Sequence, residues 1–268
     1  MYKFSQIEKL LKFKINPIKK TEIIKTTQAA GRFLAEDLYS LIDIPPANSS
    51  AVDGFLFKYK KLISNSSSKT FLIDSEIHAG EKLKDSHLLK NTIKVSTGSH
   101  IPKGFDIIIM EEDFDIKDNL ITLKKKKDIY KWMNIRKRGE DIKKNQKVFS
   151  SGHCLSAQDI GMLSSIGLNK VKVTQKIKVG ILSNGNELIE PGKKKLSYQI
   201  YDSNRYTLYM LLKENYTSVT DFGIIKDDHK KIKEKLISIK NKSDLIIISG
   251  GASSGSRDYV VKIIREIG

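Results

Sequence analysis

The sequence predicts a multidomain protein of the α/β plus β class, and three observations support that prediction. Strands that are apolar throughout alternate with helices in residues 176–268, as in a parallel sheet that helices cover on both faces. Short β-rich runs separated by turn residues fill residues 46–135, which predicts an inserted β-rich domain. The flanking segments, 1–45 and 136–175, mix helix and strand patterns and predict one discontinuous N-terminal domain. A chain of 268 residues is long enough for these domains.

The N-terminal domain is predicted to begin with a helix over residues 3–14, where apolar residues recur at helical spacing. Thr26, or the threonine that follows it, can cap a second helix that extends to Leu38. After the insertion, Ser156 can cap a further helix, and residues 170–174 alternate as a strand does.

The other two domains follow from runs bounded by Gly, Asn, Asp and Lys turns. In the insertion, strands are predicted at about 70–73, 91–96, 105–110, 119–123 and 129–135. In the α/β domain, strands are predicted at about 177–182, 218–225 and 245–248. The helices between and after them are predicted at about 203–215, 229–240 and 258–267.

Three strands are few for a parallel sheet, because open parallel sheets are usually larger and buried on both faces. The last residue is Gly268, a residue type favoured just past the end of a helix, so the next element would be a strand. We therefore expect an α/β domain that is incomplete at its C-terminus. The alternative is that a partner chain completes the sheet.

Composition limits the function classes. No run of 18 apolar residues occurs, and the N-terminus lacks the apolar core and cleavage site of a secretory signal. The single cysteine, Cys154, excludes an intramolecular disulfide and a multi-cysteine metal site, and its simplest interpretation is an inert small residue. We expect a cytoplasmic protein that does not bind a membrane.

The net charge of +17 alone would suggest nucleic-acid binding. However, the lysines are spread along the whole chain among many Ile and Asn residues. The densest cluster, Lys124 to Lys127, lies in a predicted hairpin and has no interleaved aromatic residues. We therefore expect no specific nucleic-acid partner.

The segment from Pro45 to Phe55, with the sequence PPANSSAVDGF, is the most informative loop. The two prolines restrict the backbone, while Gly54 permits a close approach and presents Asp53 beside it. A loop that holds polar groups in this way more often binds a ligand than merely connects two elements. The alternative is an Asn/Ser/Gly-rich turn.

Two further loops carry candidate ligand-binding groups. The loop from Ser249 to Asp258 offers backbone N–H groups, hydroxyl groups and a following helix N-terminus, which are the parts of an anion cradle. Asp258 beside that cradle suggests a divalent cation, and Asp202 is a natural second carboxylate. Glu187 adds an acid after the neighbouring strand. In each case the alternative is an ordinary helix cap or loop acid.

Together these segments resemble the MoeA-type molybdopterin molybdenumtransferases, a family that includes the E domain of gephyrin. Residues 48–55 (NSSAVDGF) resemble its Asp-Asn-Ser-Ala-Met-Asp-Gly-Tyr block, and residues 96–102 (STGSHIP) resemble Met-Thr-Gly-Ala-Pro-Val-Pro. Residues 136–142 (RKRGEDI) resemble Arg-Arg-Arg-Gly-Glu-Asp-Ile, and residues 249–258 resemble Ser-Gly-Gly-Val-Ser-Val-Gly followed by Asp. Further similar blocks lie in the same order and approximate spacing at 183–188, 198–205 and 223–228.

The resemblance implies an elongated chain with a MogA-like three-layer α/β/α domain, working as a homodimer. It implies insertion of molybdate into adenylylated molybdopterin with release of AMP, assisted by a divalent cation, usually Mg²⁺. By motif, the residues lining the catalytic site would be Asp53, Thr97, Asp141 and Glu187. The residues binding the cofactor substrate would be Gly250, Gly251, Ser253, Gly255, Ser203 and Asn204, and the cation would be held by Asp202 and Asp258.

The sequence also departs from the family pattern. Asn184 and Asn186 stand where the family has Thr and Asp, and an amide cannot supply the charge of a carboxylate. The family's Lys-Pro-Gly-Lys-Pro motif, which helps to bind molybdate, would lie beyond residue 268. We therefore expect the 268-residue chain alone not to insert molybdenum. The alternative function is a truncated, non-catalytic scaffold that binds molybdopterin or dimerises; a bare MogA-type domain would need neither the proline-rich loop nor the β insertion.

Overall fold

The structure is a computed structural model that describes residues 4–64, 69–81, 92–124, 128–251 and 259–267. The chain divides into two compact units. The β unit comprises Leu38–Phe149, and the α/β unit comprises Met1–Asp37 together with Ser150–Gly268. The chain is thus a multidomain α/β protein, whereas the predicted division into three domains stays a prediction.

Within the described residues, the helices and strands are numbered in chain order. The helices are α1 (Phe4–Lys14), α2 (Tyr59–Ser64), α3 (Ala157–Ser165), α4 (Asn204–Leu212), α5 (His229–Lys240) and α6 (Tyr259–Ile267). The strands are β1 (Thr21–Lys25), β2 (Leu38–Tyr39), β3 (Ser49–Ser50), β4 (Gly54–Phe57), β5 (Thr70–Ile77), β6 (Thr92–Val95), β7 (Ile107–Met110), β8 (Phe114–Lys117), β9 (Leu120–Leu123), β10 (Ile135–Arg136), β11 (Lys147–Phe149), β12 (Lys170–Thr174), β13 (Ile177–Asn184), β14 (Leu188–Ile189), β15 (Ile200–Tyr201), β16 (Thr217–Ile225) and β17 (Leu245–Ser249).

The β unit is built on a six-stranded sheet in the order β7-β4-β6-β5-β9-β8. Its strands pair antiparallel except for β5 with β6. Strand β4 is buried on both faces: Phe55 and Phe57 pack into one apolar cluster and Leu56 packs into the other. Because side chains alternate along a strand, this single strand links two cores and fixes the position of the loop that precedes it.

The α/β unit contains a parallel sheet in the order β16-β13-β17. Helices α5 and α6 pack against it through an apolar cluster that includes Leu182, Leu236 and Ile263. The antiparallel pair β1–β12 and helix α3 belong to the same unit. Since both neighbours of β13 run parallel to it, the loops that follow these three strands lie at one edge of the sheet.

Most predicted elements are confirmed to within a few residues. The strands and helices predicted in residues 176–250 all form, and α5 has the predicted bounds. Ser156 caps α3 as predicted, in a capping box with Asp159. No helix among the described residues is long and apolar enough to cross a membrane.

Two element predictions are wrong. The helix predicted from Thr26 to Leu38 is only a 3-10 turn over Thr26–Gln28, followed by strand-like bridges at Phe33 and Leu34. Gly31 has φ +74°, which interrupts a helix, and the apolar side chains are buried by pairing across strands instead. The strand predicted at 129–135 is mostly a turn, because Trp132 and Asn134 both adopt positive φ.

Candidate functional site

The proline-rich loop lies between two other motif segments of the β unit. On one side, β3 pairs with β10, so that Ser49 lies opposite Arg136. On the other side, Gly98 N–H donates to the Ser50 carbonyl at 2.9 Å. Gly139 N–H donates to the Pro45 carbonyl at 2.9 Å, which fixes the start of the loop. Segments that are distant in sequence therefore converge on this loop, and the first three family-like blocks are in contact.

Asp53 and Thr97, both predicted site residues, bind each other directly. The backbone N–H of Thr97 donates to Asp53 Oδ1 at 2.6 Å, and the Thr97 hydroxyl donates to the same oxygen at 2.9 Å. These two bonds, the backbone one first, lower the pKa of the Asp53 carboxyl. Within the described residues, Oδ2 of Asp53 makes no hydrogen bond. The structure thus presents an ionised, exposed carboxylate with one oxygen fixed and the other available.

Asp141 lies in the loop after β10, and Arg136 binds its carboxylate. Arg136 Nη2 donates to Asp141 Oδ2, and Arg136 Nε donates to Glu140 Oε1 at 3.3 Å. The bonds to Asp141 and then to Glu140 raise the pKa of Arg136, so this guanidinium stays charged. Asp141 N–H also donates to the Ile44 carbonyl at 3.0 Å, which ties Asp141 to the start of the proline-rich loop.

In the α/β unit, the loops after β13 and β17 approach very closely. A Cβ atom added to Gly250 would lie 2.1 Å from the Asn184 carbonyl oxygen, so only glycine fits there. Gly251 is similarly close to the Asn184 side chain. Glu187 follows in the loop after β13, and its carboxylate lies over Gly185, where a Cβ would come within 2.6 Å of Oε2. Three predicted site residues, Glu187, Gly250 and Gly251, therefore occupy the loops at one edge of the sheet.

Asp202 is buried, with 2% of its surface exposed, and it binds Arg205. The Arg205 backbone N–H donates to Oδ1 at 3.2 Å, and Arg205 Nε donates to Oδ2 at 2.8 Å. Arg205 also binds Glu190, at 2.5 and 2.6 Å, and Asp221. One guanidinium therefore links three carboxylates beneath the start of α4, leaving a surplus of negative charge.

Burial opposes the charged form of Arg205, but its bonds to Asp221, Asp202 and Glu190 outweigh that effect and raise its pKa. Burial likewise opposes ionisation of Asp221, yet the bond from Arg205 lowers the pKa of that carboxyl. Arg205 and Asp221 are therefore both ionised at neutral pH. The motif singled out Asp202 in the block 198–205, whereas no spacing rule would have identified Glu190 and Asp221 as partners of Arg205.

The other predicted ligand-binding residues are placed as follows. Ser203 and Asn204 are exposed at the start of α4, and Asp202, rather than Ser203, accepts the hydrogen bond that caps this helix. Ser253, Gly255 and Asp258 lie outside the described residues. Among the residues that are described, no group of three or more His, Cys, Asp or Glu side chains could hold a metal ion.

Comparisons with known families match nearly the whole chain. Residues 3–167 match the family described as "MoeA N-terminal region (domain I and II)". Residues 180–268 match the family described as "Probable molybdopterin binding domain".

Individual relatives and solved structures agree with this. A molybdopterin molybdenumtransferase of Haemophilus influenzae is 34% identical over 249 residues, which cover 92% of this chain and 60% of that protein. A gephyrin of Dictyostelium discoideum is 28% identical and matches 94% of this chain and 38% of its own length. The crystal structure of a molybdopterin biosynthesis MoeA protein from Pyrococcus horikoshii OT3 has a TM-score of 0.83 at 34% identity, covering 92% of this chain and 65% of that one. The chain thus spans less than two thirds of these relatives.

Proposed function

Since this chain belongs to the MoeA family of molybdopterin biosynthesis proteins, we propose that it acts as a molybdopterin molybdenumtransferase. The reaction would insert molybdate into adenylylated molybdopterin and release AMP. The observation that carries this proposal is the contact between Asp53 and Thr97, which joins two family-like blocks 44 residues apart in sequence.

In this proposal the β unit contributes charged and hydroxyl groups to the substrate. The free Oδ2 of Asp53 can contact a cation or accept a hydrogen bond from the substrate, because Thr97 fixes the other oxygen and keeps the carboxylate ionised. Asp141 would line the same site and is oriented by Arg136. Fixed donors and charges of this kind stabilise a developing charge without having to reorganise during the reaction.

The α/β unit would bind the phosphate-containing part of the substrate. Gly250 and Gly251, with the predicted Ser253 and Gly255, would present backbone N–H groups to an anion. Ser203 and Asn204 are exposed at a helix N-terminus, where an anion is stabilised. Glu187, over Gly185, would line the site beside them.

Mg²⁺ would be held by Asp202 and Asp258. Carboxylate oxygens are the ligands that Mg²⁺ prefers, but both oxygens of Asp202 accept hydrogen bonds from Arg205 in this structure, so Asp202 would bind the ion only by exchanging Arg205 for it. The three carboxylates around Arg205 also leave negative charge that a cation would offset. A bound Mg²⁺ would neutralise charge on the phosphates; the chain's own residues would hold it and orient the substrate. We further propose that the protein works as a homodimer with small-molecule substrates.

The proposal is tested by measuring AMP release from adenylylated molybdopterin in the presence of molybdate and Mg²⁺. If the chain turns over, Asp53→Asn should lower the rate at least tenfold, because it removes a fixed charge, and losing one preorganised electrostatic contact typically costs about 10²–10³-fold. Asp115→Asn is the matched control: Asp115 is an exposed aspartate of the same unit, on β8, and its substitution should leave the rate unchanged. Equal rates for wild type and Asp53→Asn would refute the proposed role of Asp53.

The second candidate function is ligand binding without turnover, and Asn186 favours it. Asn186 N–H donates to Asp227 Oδ2 at 3.3 Å, and Asp227 N–H donates to Asn186 Oδ1 at 3.2 Å. An amide therefore makes reciprocal contacts with an aspartate at the position where the family pattern has a carboxylate, which weakens cation binding there. Binding of adenylylated molybdopterin that depends on Mg²⁺, without molybdate-dependent AMP release, would assign this function.

A further inference from the structure

A polar cavity of about 470 Å³ lies in the α/β unit, and none of the residues assigned above lines it. Its polar lining residues are Thr27, Gln28, Arg32, Lys176 and Asn215. No carboxylate is among its lining residues in the described part of the chain. Ligand sites typically occupy roughly 300–1,000 Å³ and present a few converging polar groups, so the cavity is of the right size for a small metabolite.

Arg32 is the unusual residue in this lining, because it is buried with donors to spare. Only 5% of its surface is exposed. Its Nη2 donates to Glu22 Oε1 at 2.5 Å and to the Thr174 carbonyl at 2.8 Å. Its Nε is buried without any partner, and Nη1 makes no hydrogen bond within the described residues. A guanidinium carries five N–H donors, so one buried donor at Nε and two donors at Nη1 have no acceptor among the described residues. Nη1 is not among the buried unpaired atoms, so its two donors are the ones that a ligand in the cavity can reach.

The charge of the cavity favours an anion. Lys176 is exposed at the same cavity, and no ion pair engages it among the described residues. Glu22 balances one positive charge through its bond to Arg32, which leaves the charge of Lys176 uncompensated. Thr27 and Gln28 add neutral donors at the cavity wall. The unpaired Nη1 donors of Arg32 and the ammonium of Lys176, which line the same cavity, suit the oxygens of a phosphate or carboxylate.

The wall that carries Arg32 is held rigidly. Gly31 has φ +74°, and a Cβ added to it would lie 2.8 Å from Asn215 Cβ. Asn215 Nδ2 donates to the Ala30 carbonyl at 3.0 Å, which joins two sides of the cavity. The backbone of Arg32 accepts a hydrogen bond from Leu155 N–H at 2.9 Å. A preorganised wall reduces the ordering cost of binding.

We propose that this cavity binds a small anionic metabolite through a phosphate or carboxylate group, held by Arg32 and Lys176. The proposal does not rest on the proposed catalytic function, because it uses none of the residues assigned to that function.

The test is calorimetric titration of the full chain with glycerol 3-phosphate, inorganic phosphate and citrate at low ionic strength. Lys176→Gln should weaken binding about tenfold, since a hydrogen bond to a charged group contributes roughly that factor. Lys230→Gln is the matched control; Lys230 is an exposed lysine of α5 outside the cavity, and its substitution should leave the affinity unchanged. Binding of the two phosphates but not citrate would identify a phosphate ligand, and the reverse would identify a carboxylate.

Arg32→Gln should abolish binding, provided that circular dichroism shows a folded protein. If that variant does not fold, Thr27→Glu serves instead, because it places a negative charge at the cavity wall. The bound probe should also shift the amide resonances of Thr27, Gln28 and Asn215. The proposal is overturned if no probe binds the wild-type chain, or if Lys176→Gln and Lys230→Gln have equal effects.

Discussion

Asp53 in the β unit and Asp202 in the α/β unit are both aspartates of family-like motifs, yet their environments are opposite. Asp53 is exposed and is held by two neutral donors of Thr97, with Oδ2 available. Asp202 is buried, and both of its oxygens accept hydrogen bonds from Arg205. The comparison teaches that aspartates of similar motifs can differ in role. Asp53 keeps one oxygen available to a ligand, whereas Asp202 uses both oxygens to hold Arg205 in an ion network.

The largest expected effect comes from removing the cation of that network. Arg205→Met should lower the free energy of unfolding of the α/β unit by about 3–5 kcal/mol, because Asp202 would be left buried without its counter-charge. Arg265→Met is the control: replacing this exposed arginine of α6 should change the free energy of unfolding by no more than about 0.5 kcal/mol.

Urea unfolding followed by far-ultraviolet circular dichroism measures this change. Trp132 is the only tryptophan of the chain and lies in the β unit, so its fluorescence reports that unit in the same samples. If Arg205→Met unfolds at the same urea concentration as the wild type, the ion network contributes nothing to stability. The contrast between Asp53 and Asp202 would then be lost.

A smaller effect is expected at acid pH. The Asp221 pKa is lowered in the folded state, although burial opposes the shift, because Arg205 binds the carboxylate. The stability that this carboxylate contributes is therefore complete above its unfolded pKa, about 3.9, and is lost as the pH falls through the lower folded value. The wild type should lose more stability between pH 5 and pH 2 than Asp221→Asn. Parallel curves of urea midpoint against pH for the two proteins would contradict this.

Periodicity predicted elements whose residues interact locally. Helix α5 and the apolar strand β17 were predictable because their patterns lie within one continuous segment. The segment after Thr26 was not predictable in this way. Its apolar spacing fits a helix, but the positive φ of Gly31 interrupts a helix there. Local pattern therefore identifies an element only where no single backbone conformation overrides it.

Long-range contacts at the site were predictable only in part. Motif resemblance singled out Asp53 and Thr97 individually, but their direct bond depends on how β4 lies in the six-stranded sheet. The partners of Arg205 are harder to predict. Glu190 lies 15 residues before Arg205 in sequence, and Asp221 lies 16 residues after it. Charge pairing over such separations follows from the fold and not from residue order.

The smallest expected effect sharpens the comparison at Asp53. Thr97→Val removes the hydroxyl donor and keeps the backbone N–H, so the pKa of Asp53 should rise but stay below its ordinary value, since the backbone bond is the larger cause of its lowering. Carboxyl ¹³C shifts followed against pH measure this value directly. Thr122→Val makes the same change on exposed β9, where the hydroxyl meets Thr70, and should leave the Asp53 titration unchanged. If Thr97→Val also leaves it unchanged, the backbone alone holds Asp53, and the hydroxyl of Thr97 is then free for a ligand.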